Sequence, residues 1–205
     1  MLDHLVFGVP HLDQGIDMLE RQTGVRPAFG GRHPGRGTHN ALLALGGRQY
    51  LEVIAIDPSQ ANAAGLLFPE LRTLSQPAFV SWAIAVGDVA DAARRARAAG
   101  CEAIGPLEGA RARADGSLLA WRTLRVVHPS MGLVPFFIAW GSDAAHPSQD
   151  APAGCTLAGL EMEAPDSSSM VRLLKELGAD AQVVPGPRTR LKARLQTPKG
   201  PVELA

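Results

Sequence analysis

Apolar residues along the chain fall into short runs whose rhythm alternates between strand-like and helix-like spacing. Residues 3–9, DHLVFGV, form an apolar run ended by Pro10 and predict a buried strand. From His11 to Gly24 the spacing changes to Leu12, Ile16 and Leu19, which line one side of a helix. Asp13 and Asp17 lie toward its N-terminal end, where the helix dipole favours them, and Gly24 is the expected stop. Residues 25–29 predict a second strand, and two alternating runs around Gly46-Gly47 predict a tight hairpin. The segment 1–58 therefore reads βαβββ.

The pattern recurs. Residues 79–86 predict a strand and 88–99 a helix stopped by Gly100, followed by apolar runs at 118–127 and 133–140. A third pass has a strand from 156 and a helix over 166–177 with Met170, Leu173, Leu174 and Leu177 on one face. Gly178 stops that helix, and strands near 181–184, 190–196 and 201–204 complete the pass. The stop glycines are 76 and 78 residues apart (100 minus 24, 178 minus 100), a regularity that marks an internal repeat. The expected fold class is α+β, built from three βαβββ modules. Residues 57–78 carry a short helix around Ala63–Leu71, and the small, polar and proline residues of 141–155 read as a linker. The expected domains are 1–140, made of modules 1–58 and 79–140, and a third module at 156–205.

Composition narrows the partners. With a formal net charge of +0 and a pI near 7.0, the chain has no global field to attract nucleic acid or an anionic membrane, so anion binding must be local. Cys101 and Cys155 have no metal-knuckle spacing and are expected as reduced thiols. The N-terminus lacks the basic segment of a signal peptide and no apolar run reaches membrane-spanning length, so a cytoplasmic location is expected.

Candidate chemistry concentrates between Gly30 and Pro58. If Leu45 pairs with Arg48 across the Gly46-Gly47 turn, Ala41 lies opposite Glu52 and His39 opposite Ile54. His39 and Glu52 then share a face as diagonal neighbours. An ionised carboxylate in an otherwise apolar strand is costly unless it is paired, hydrogen-bonded or metal-bound, so Glu52 requires a partner. Arg32, His33 and Arg36 in a glycine- and proline-rich loop, with the Asn40 amide beside them, are candidates for holding a carboxylate or phosphate. The loop lacks the G-K-[ST] of a phosphate-binding P-loop. Trp82, Phe136, Phe137 and Trp140 are scarce aromatics; core packing is their commoner fate, and Trp82 and Phe137 are kept as candidate walls of a substrate site. His11, His128 and His146 read as surface or capping residues.

The triple βαβββ pattern, the DH of the first strand, the GGRHPGRGTHN stretch, the glutamate of the fourth strand and HPSMGLVPFFIAW at 128–140 resemble the vicinal oxygen chelate superfamily. More narrowly they are similar to its glyoxalase-like domains. The resemblance implies mixed sheets of order 1-4-3-2, paired into a cup, here by modules one and two, and a divalent metal held by residues of the first and fourth strands. His4 and Glu52 match such positions; Ser81 and Phe137 fall at them in module two, and Gly159 and Glu203 in module three. With His39 added from the hairpin register, the expected metal set is His4, His39 and Glu52, binding iron, manganese, zinc or nickel. The implied activity is a metal-dependent lyase, isomerase or ring-cleaving dioxygenase acting on a substrate with neighbouring oxygens, with Glu52 as the catalytic proton carrier. The alternative is a non-catalytic protein of the same fold that sequesters a small molecule. A small, anionic substrate and a homodimer are the expected partners.

Overall fold

The first two modules follow the predicted element order. Module one comprises β1 (Leu2–Gly8), α1 (Leu12–Thr23), β2 (Ala28–His33), β3 (Thr38–Ala44) and β4 (Tyr50–Ile56). Module two comprises β5 (Ala78–Ala85), α2 (Val89–Ala98), β6 (Glu102–Ala112), β7 (Leu118–Val127) and β8 (Phe136–Trp140). A short helix, α3 (Pro147–Asp150), precedes the third module: β9 (Thr156–Ala164), α4 (Ser167–Leu177), β10 (Gln182–Pro185), β11 (Arg190–Thr197) and β12 (Gly200–Leu204). This computed structural model describes the whole chain except residues 61, 62, 64, 113–115, 131 and 142–144.

Local chemistry accounts for the helix ends. Asp88 and Asp166 cap α2 and α4 by accepting from the backbone N–H groups of Ala90 and Ser169. Gly24, Gly100 and Gly178 end the three long helices with φ of 80°, 76° and 76°, a left-handed conformation that glycine adopts without steric cost. In place of the helix expected around 63–71, of which residue 64 lies outside the described residues, 3₁₀ turns occupy Pro58–Gln60 and Pro69–Arg72. β6 has no clear signature in sequence, because Gly105, Pro106 and Gly109 interrupt it. The strand forms nonetheless because it lies at a sheet edge and bulges between Ile104 and Leu107, where a proline costs no ladder bond.

Modules one and two make one eight-stranded sheet of order β2-β3-β4-β1-β5-β8-β7-β6. Each half has the 1-4-3-2 order, and the halves join through the antiparallel pair β1 and β5. The sheet curls into a half-barrel whose end strands β2 and β6 approach one another, and the Arg111 guanidinium donates to the Gly30 carbonyl across that seam. The third module departs from the expected order. Its sheet runs β10-β9-β11-β12, second-first-third-fourth. Strand β10 has only four residues and ends on Pro185, so it pairs with β9 as a short parallel edge and forms no hairpin with β11.

The convex face of the large sheet is covered by α1, α2 and the third module. Leu5, Leu43, Val53, Trp82 and Phe137 meet Leu19 of α1, Ala96 of α2, and Met162, Leu174 and Leu195 of the third module in one continuous cluster. At roughly 1.5–3 kcal/mol for each fully buried large side chain, this layer is the main stabilising element. Trp82 and Phe137 thus belong to the core and wall no substrate site: strand alternation sends them to the convex face, where the Trp82 indole N–H donates to the Leu133 carbonyl at 2.8 Å. Glu203 lies exposed on β12, beyond that layer and away from the concave face.

The segment expected as a linker is packed where it is described; residues 142–144 lie outside the described set. His146 and Ser148 are buried, Ala44 donates its backbone N–H to the Pro152 carbonyl, and Leu157 donates to that of Leu45. Its polar composition reflects hydrogen bonding to module one instead of exposure to solvent. Among the described residues no helix is long and apolar enough to cross a membrane.

Candidate active site

The register of the β3–β4 hairpin decides which polar groups meet. Leu45 pairs with Gln49 around Gly46, Gly47 and Arg48, a turn one residue longer than the tight turn expected. Leu42 therefore lies opposite Glu52, Asn40 opposite Ile54 and His39 opposite Ala55. A one-residue slip exchanges the faces of a strand. Glu52 shares the concave face with Asn40, Leu42 and Tyr50, while His39 turns to the convex side with Ala41 and Leu43. This corrects the expected metal set, because His39 and Glu52 point to opposite sides of the sheet.

The concave face encloses a cavity of about 360 Å³. A row of buried ionisable groups runs beneath it, of which His4 and Glu52 line the cavity. Asp3 Oδ1 lies 2.6 Å from His4 Nδ1, while Asp3 Oδ2 accepts from the Trp140 indole N–H at 2.9 Å and lies 3.0 Å from His146 Nε2. Burial alone would push the Asp3 carboxyl up, but the hydrogen bonds from His146, His4 and Trp140 outweigh it and hold the group well below the usual carboxylate range. Asp3 is therefore an anion that needs the Nδ1–H of His4, which leaves His4 Nε2 facing the cavity. The His4 ring stacks on Tyr50 at 4.6 Å with the planes 19° apart, and meets the edge of Phe136 at 5.4 Å. Burial, with the charges of Asp3 and Glu52 nearby, pushes the Tyr50 phenol well up, so it stays neutral.

Glu52 closes the row. Its Oε2 lies 3.7 Å from His4 Nε2, and its Oε1 accepts from the Asn40 amide at 2.6 Å, with His33 Nε2 at 3.9 Å. His33 Nδ1 contacts Thr38 Oγ1 at 2.8 Å, and burial lowers the pKa of the ring. His33, Arg36 and Asn40 line the cavity together with His4 and Glu52, and Phe136, Trp121 and Trp140 supply its aromatic walls. Arg32, expected beside them, points out instead: it pairs with the buried Asp57 and donates to Ser59 Oγ at 2.9 Å. Strand alternation again explains the split, since Arg32 lies opposite His39 and His33 opposite Thr38.

Sequence reasoning missed Asp3, His146, Tyr50 and Arg111. Asp3 had a signal, an acid beside a histidine in an apolar strand; His146 had none, because its burial depends on how the connector folds back onto β1 and β3.

Members of the vicinal oxygen chelate superfamily often bind divalent metals. The donor set here does not fit a complete centre. Module two presents the Ser81 hydroxyl and the Phe136 ring to the cavity where further ligands would be needed. Among the described residues no three His, Cys, Asp or Glu side chains converge on one point.

Comparison with known proteins bears on the fold and the family. A crystal structure of a hypothetical protein from Staphylococcus aureus has the same fold: TM-score 0.72 at 14% identity, over 92% of this chain and 87% of that one. Methylmalonyl-CoA epimerase from Mycobacterium tuberculosis aligns at 21% identity with TM-score 0.45, over 68% of this chain and 85% of that one. A point variant of the Streptomyces coelicolor methylmalonyl-CoA epimerase, in complex with 2-nitronate-propionyl-CoA, aligns at 18% identity and TM-score 0.48, over 70% of this chain and 97% of that one. Among curated proteins none matches the chain. The profile of the glyoxalase-like domain family matches residues 2–178, running through both halves of the cup and on to the end of α4, and the chain therefore belongs to the glyoxalase-like domain family of the vicinal oxygen chelate superfamily.

Proposed function

We propose that the cup binds a small anionic molecule bearing neighbouring oxygens and that His4 and Glu52 move a proton on it, in isomerase- or lyase-type chemistry. The observation that carries this reading is the gap between His4 Nε2 and Glu52 Oε2, 3.7 Å across, on the floor of the cavity. With Nδ1–H committed to Asp3, His4 presents Nε2 to the Glu52 carboxylate across this gap, so that the ring in its neutral form and the carboxylate are both proton acceptors. Two acceptors so placed can take a proton from one position of a bound substrate and return it to another. Asn40 holds the carboxylate in orientation through Oε1 and leaves Oε2 toward His4. Arg36 and Arg111 line the same cavity and supply positive charge for a carboxylate or phosphate, while the aromatic walls exclude water around the reacting atoms. A volume of about 360 Å³ suits a small metabolite.

Among the described residues module two presents Ser81 and Phe136 to the cavity in place of metal ligands, which supports a second reading, in which the cup sequesters its ligand without chemistry. Deuterium exchange distinguishes them. Wild type and Glu52→Gln are incubated in deuterium oxide with a panel of small 2-oxo and 2-hydroxy carboxylates and acyl thioesters, and exchange at carbon is followed by NMR. The expectation is exchange of at least one compound by wild type, slowed ~100-fold or more in the variant. Tight binding without exchange in wild type would establish sequestration, and equal exchange by both proteins would remove Glu52 from the reaction.

A further inference from the structure

We propose that His146, from the connector between the second and third modules, is a positioning residue that acts through Asp3 to hold His4 in its Nδ1–H form. The inference rests on the reading of His4 as a proton carrier and adds a residue from outside the two modules that build the cup.

His146 is 1% exposed, and both of its ring nitrogens are engaged. The backbone N–H of Ser148 donates to Nδ1 at 3.3 Å, with the Ser148 hydroxyl 2.8 Å from the same atom. Nδ1 therefore carries the lone pair and Nε2 the proton, which is donated to Asp3 Oδ2 at 3.0 Å. The Trp140 indole, which can only donate, binds the same oxygen at 2.9 Å. Oδ2 is thus filled by two donors, and the carboxylate cannot rotate without breaking both bonds. Oδ1 is left for His4 Nδ1 at 2.6 Å. Ring packing closes the arrangement: Tyr50 lies between the histidines, stacked on His4 at 4.6 Å and edge-on to His146 at 5.6 Å, and Trp140 meets His146 at 5.5 Å. The chain of fixed orientations runs from Ser148 through His146 and Asp3 to His4 Nε2, the atom that faces Glu52.

The test reads the tautomers directly, by long-range ¹H–¹⁵N NMR of the imidazoles in the full chain, at a pH where the histidines are neutral. Wild type should show the proton of His4 on Nδ1 and that of His146 on Nε2. In His146→Leu Asp3 loses a donor that fixes Oδ2, and the ratio of Nδ1–H to Nε2–H at His4 should fall, by ~10-fold where the carboxylate turns away and the Asp3–His4 bond is lost. His146→Gln, which keeps an N–H donor of similar reach, should restore it. A merely structural role would lower the melting temperature of the leucine variant and leave the His4 pattern unchanged. Should the leucine variant fail to fold, Trp140→Phe removes the other donor on the same oxygen and should shift the ratio the same way. A wild-type His4 protonated on Nε2, or a His4 pattern indifferent to both substitutions, overturns the proposal. If His4 is Nδ1–H but insensitive to position 146, the role of His146 falls while the proton-transfer reading stands. If the coupling holds and deuterium exchange fails, the converse is true.

Discussion

Replacing Asp3 by asparagine removes one charge and no volume, and the structure says what that should cost. The carboxylate is 2% exposed and receives hydrogen bonds from His4, His146 and Trp140. Hydrogen bonds to a charged acceptor contribute about 1.5–3 kcal/mol against about 0.5–1.5 for neutral pairs, so neutralisation weakens each by roughly 1 kcal/mol. An amide also turns one oxygen into an N–H group facing donors, leaving a buried polar group unpaired at about 1–3 kcal/mol more. The sum, roughly 4–6 kcal/mol, corresponds for a chain of this length to a fall in melting temperature of roughly 8–24 °C. The pH dependence has a definite sign. The folded carboxyl is held below its unfolded value of about 3.9, so its contribution is complete above that pH and is lost as pH falls below it toward the folded value. Thermal melts of both proteins from neutral to acid pH should therefore show the largest gap near neutrality, narrowing below about pH 4. A gap of less than about 1 kcal/mol at neutral pH, or one that persists unchanged in acid, would refute the assignment of Asp3 as the buried anion of the site.

Further outcomes can be checked independently. Glu52→Gln should change stability by no more than about 1 kcal/mol, since the amide keeps an oxygen for Asn40 and loses a desolvated charge; calorimetric unfolding checks this. Gly109→Ala should displace the Trp121 indole, because a Cβ at position 109 would stand 2.8 Å from Trp121 Cζ2; altered tryptophan fluorescence and a reshaped ligand site are expected. His39→Ala should leave ligand binding unchanged in titration calorimetry, because the side chain lies on the convex face, whereas His33→Ala should weaken it.

Much of the fold was legible because its signals are local. Helix-stopping glycines, capping aspartates and apolar alternation act over a few residues, and they located α1, α2 and α4 and the strands β7 and β9. β6 escaped because edge strands tolerate glycine and proline, so their composition resembles a loop. The strand order of the third module escaped because pairing of β10 depends on a competition between β9 and β11 that no local pattern encodes. For the site, β1 and β4 were readable and their neighbours were not. His4 and Glu52 stand together as strand adjacency demands, but a turn longer by one residue moved His39 to the other face and put Asn40 in its place. The same parity exchanged Phe137 for Phe136 and separated Arg32 from His33. Where side chains alternate with period two, an error of one residue inverts an assignment completely. His146 lay beyond such reasoning, since a proline-rich polar stretch gives no sign that it folds back onto the first strand.

That fold-back also orders events during synthesis. Asp3 and His146 are separated by 143 positions, so the acid is made well before this hydrogen-bond donor, which emerges only after both halves of the cup. Domains emerge N-terminal part first, at about 5–20 residues per second, so for several seconds a nascent chain holds the carboxylate without the imidazole that shares its charge. A desolvated anion short of donors favours hydration over burial. The early chain is thereby discouraged from burying Asp3 on β1 until the connector delivers the missing donor.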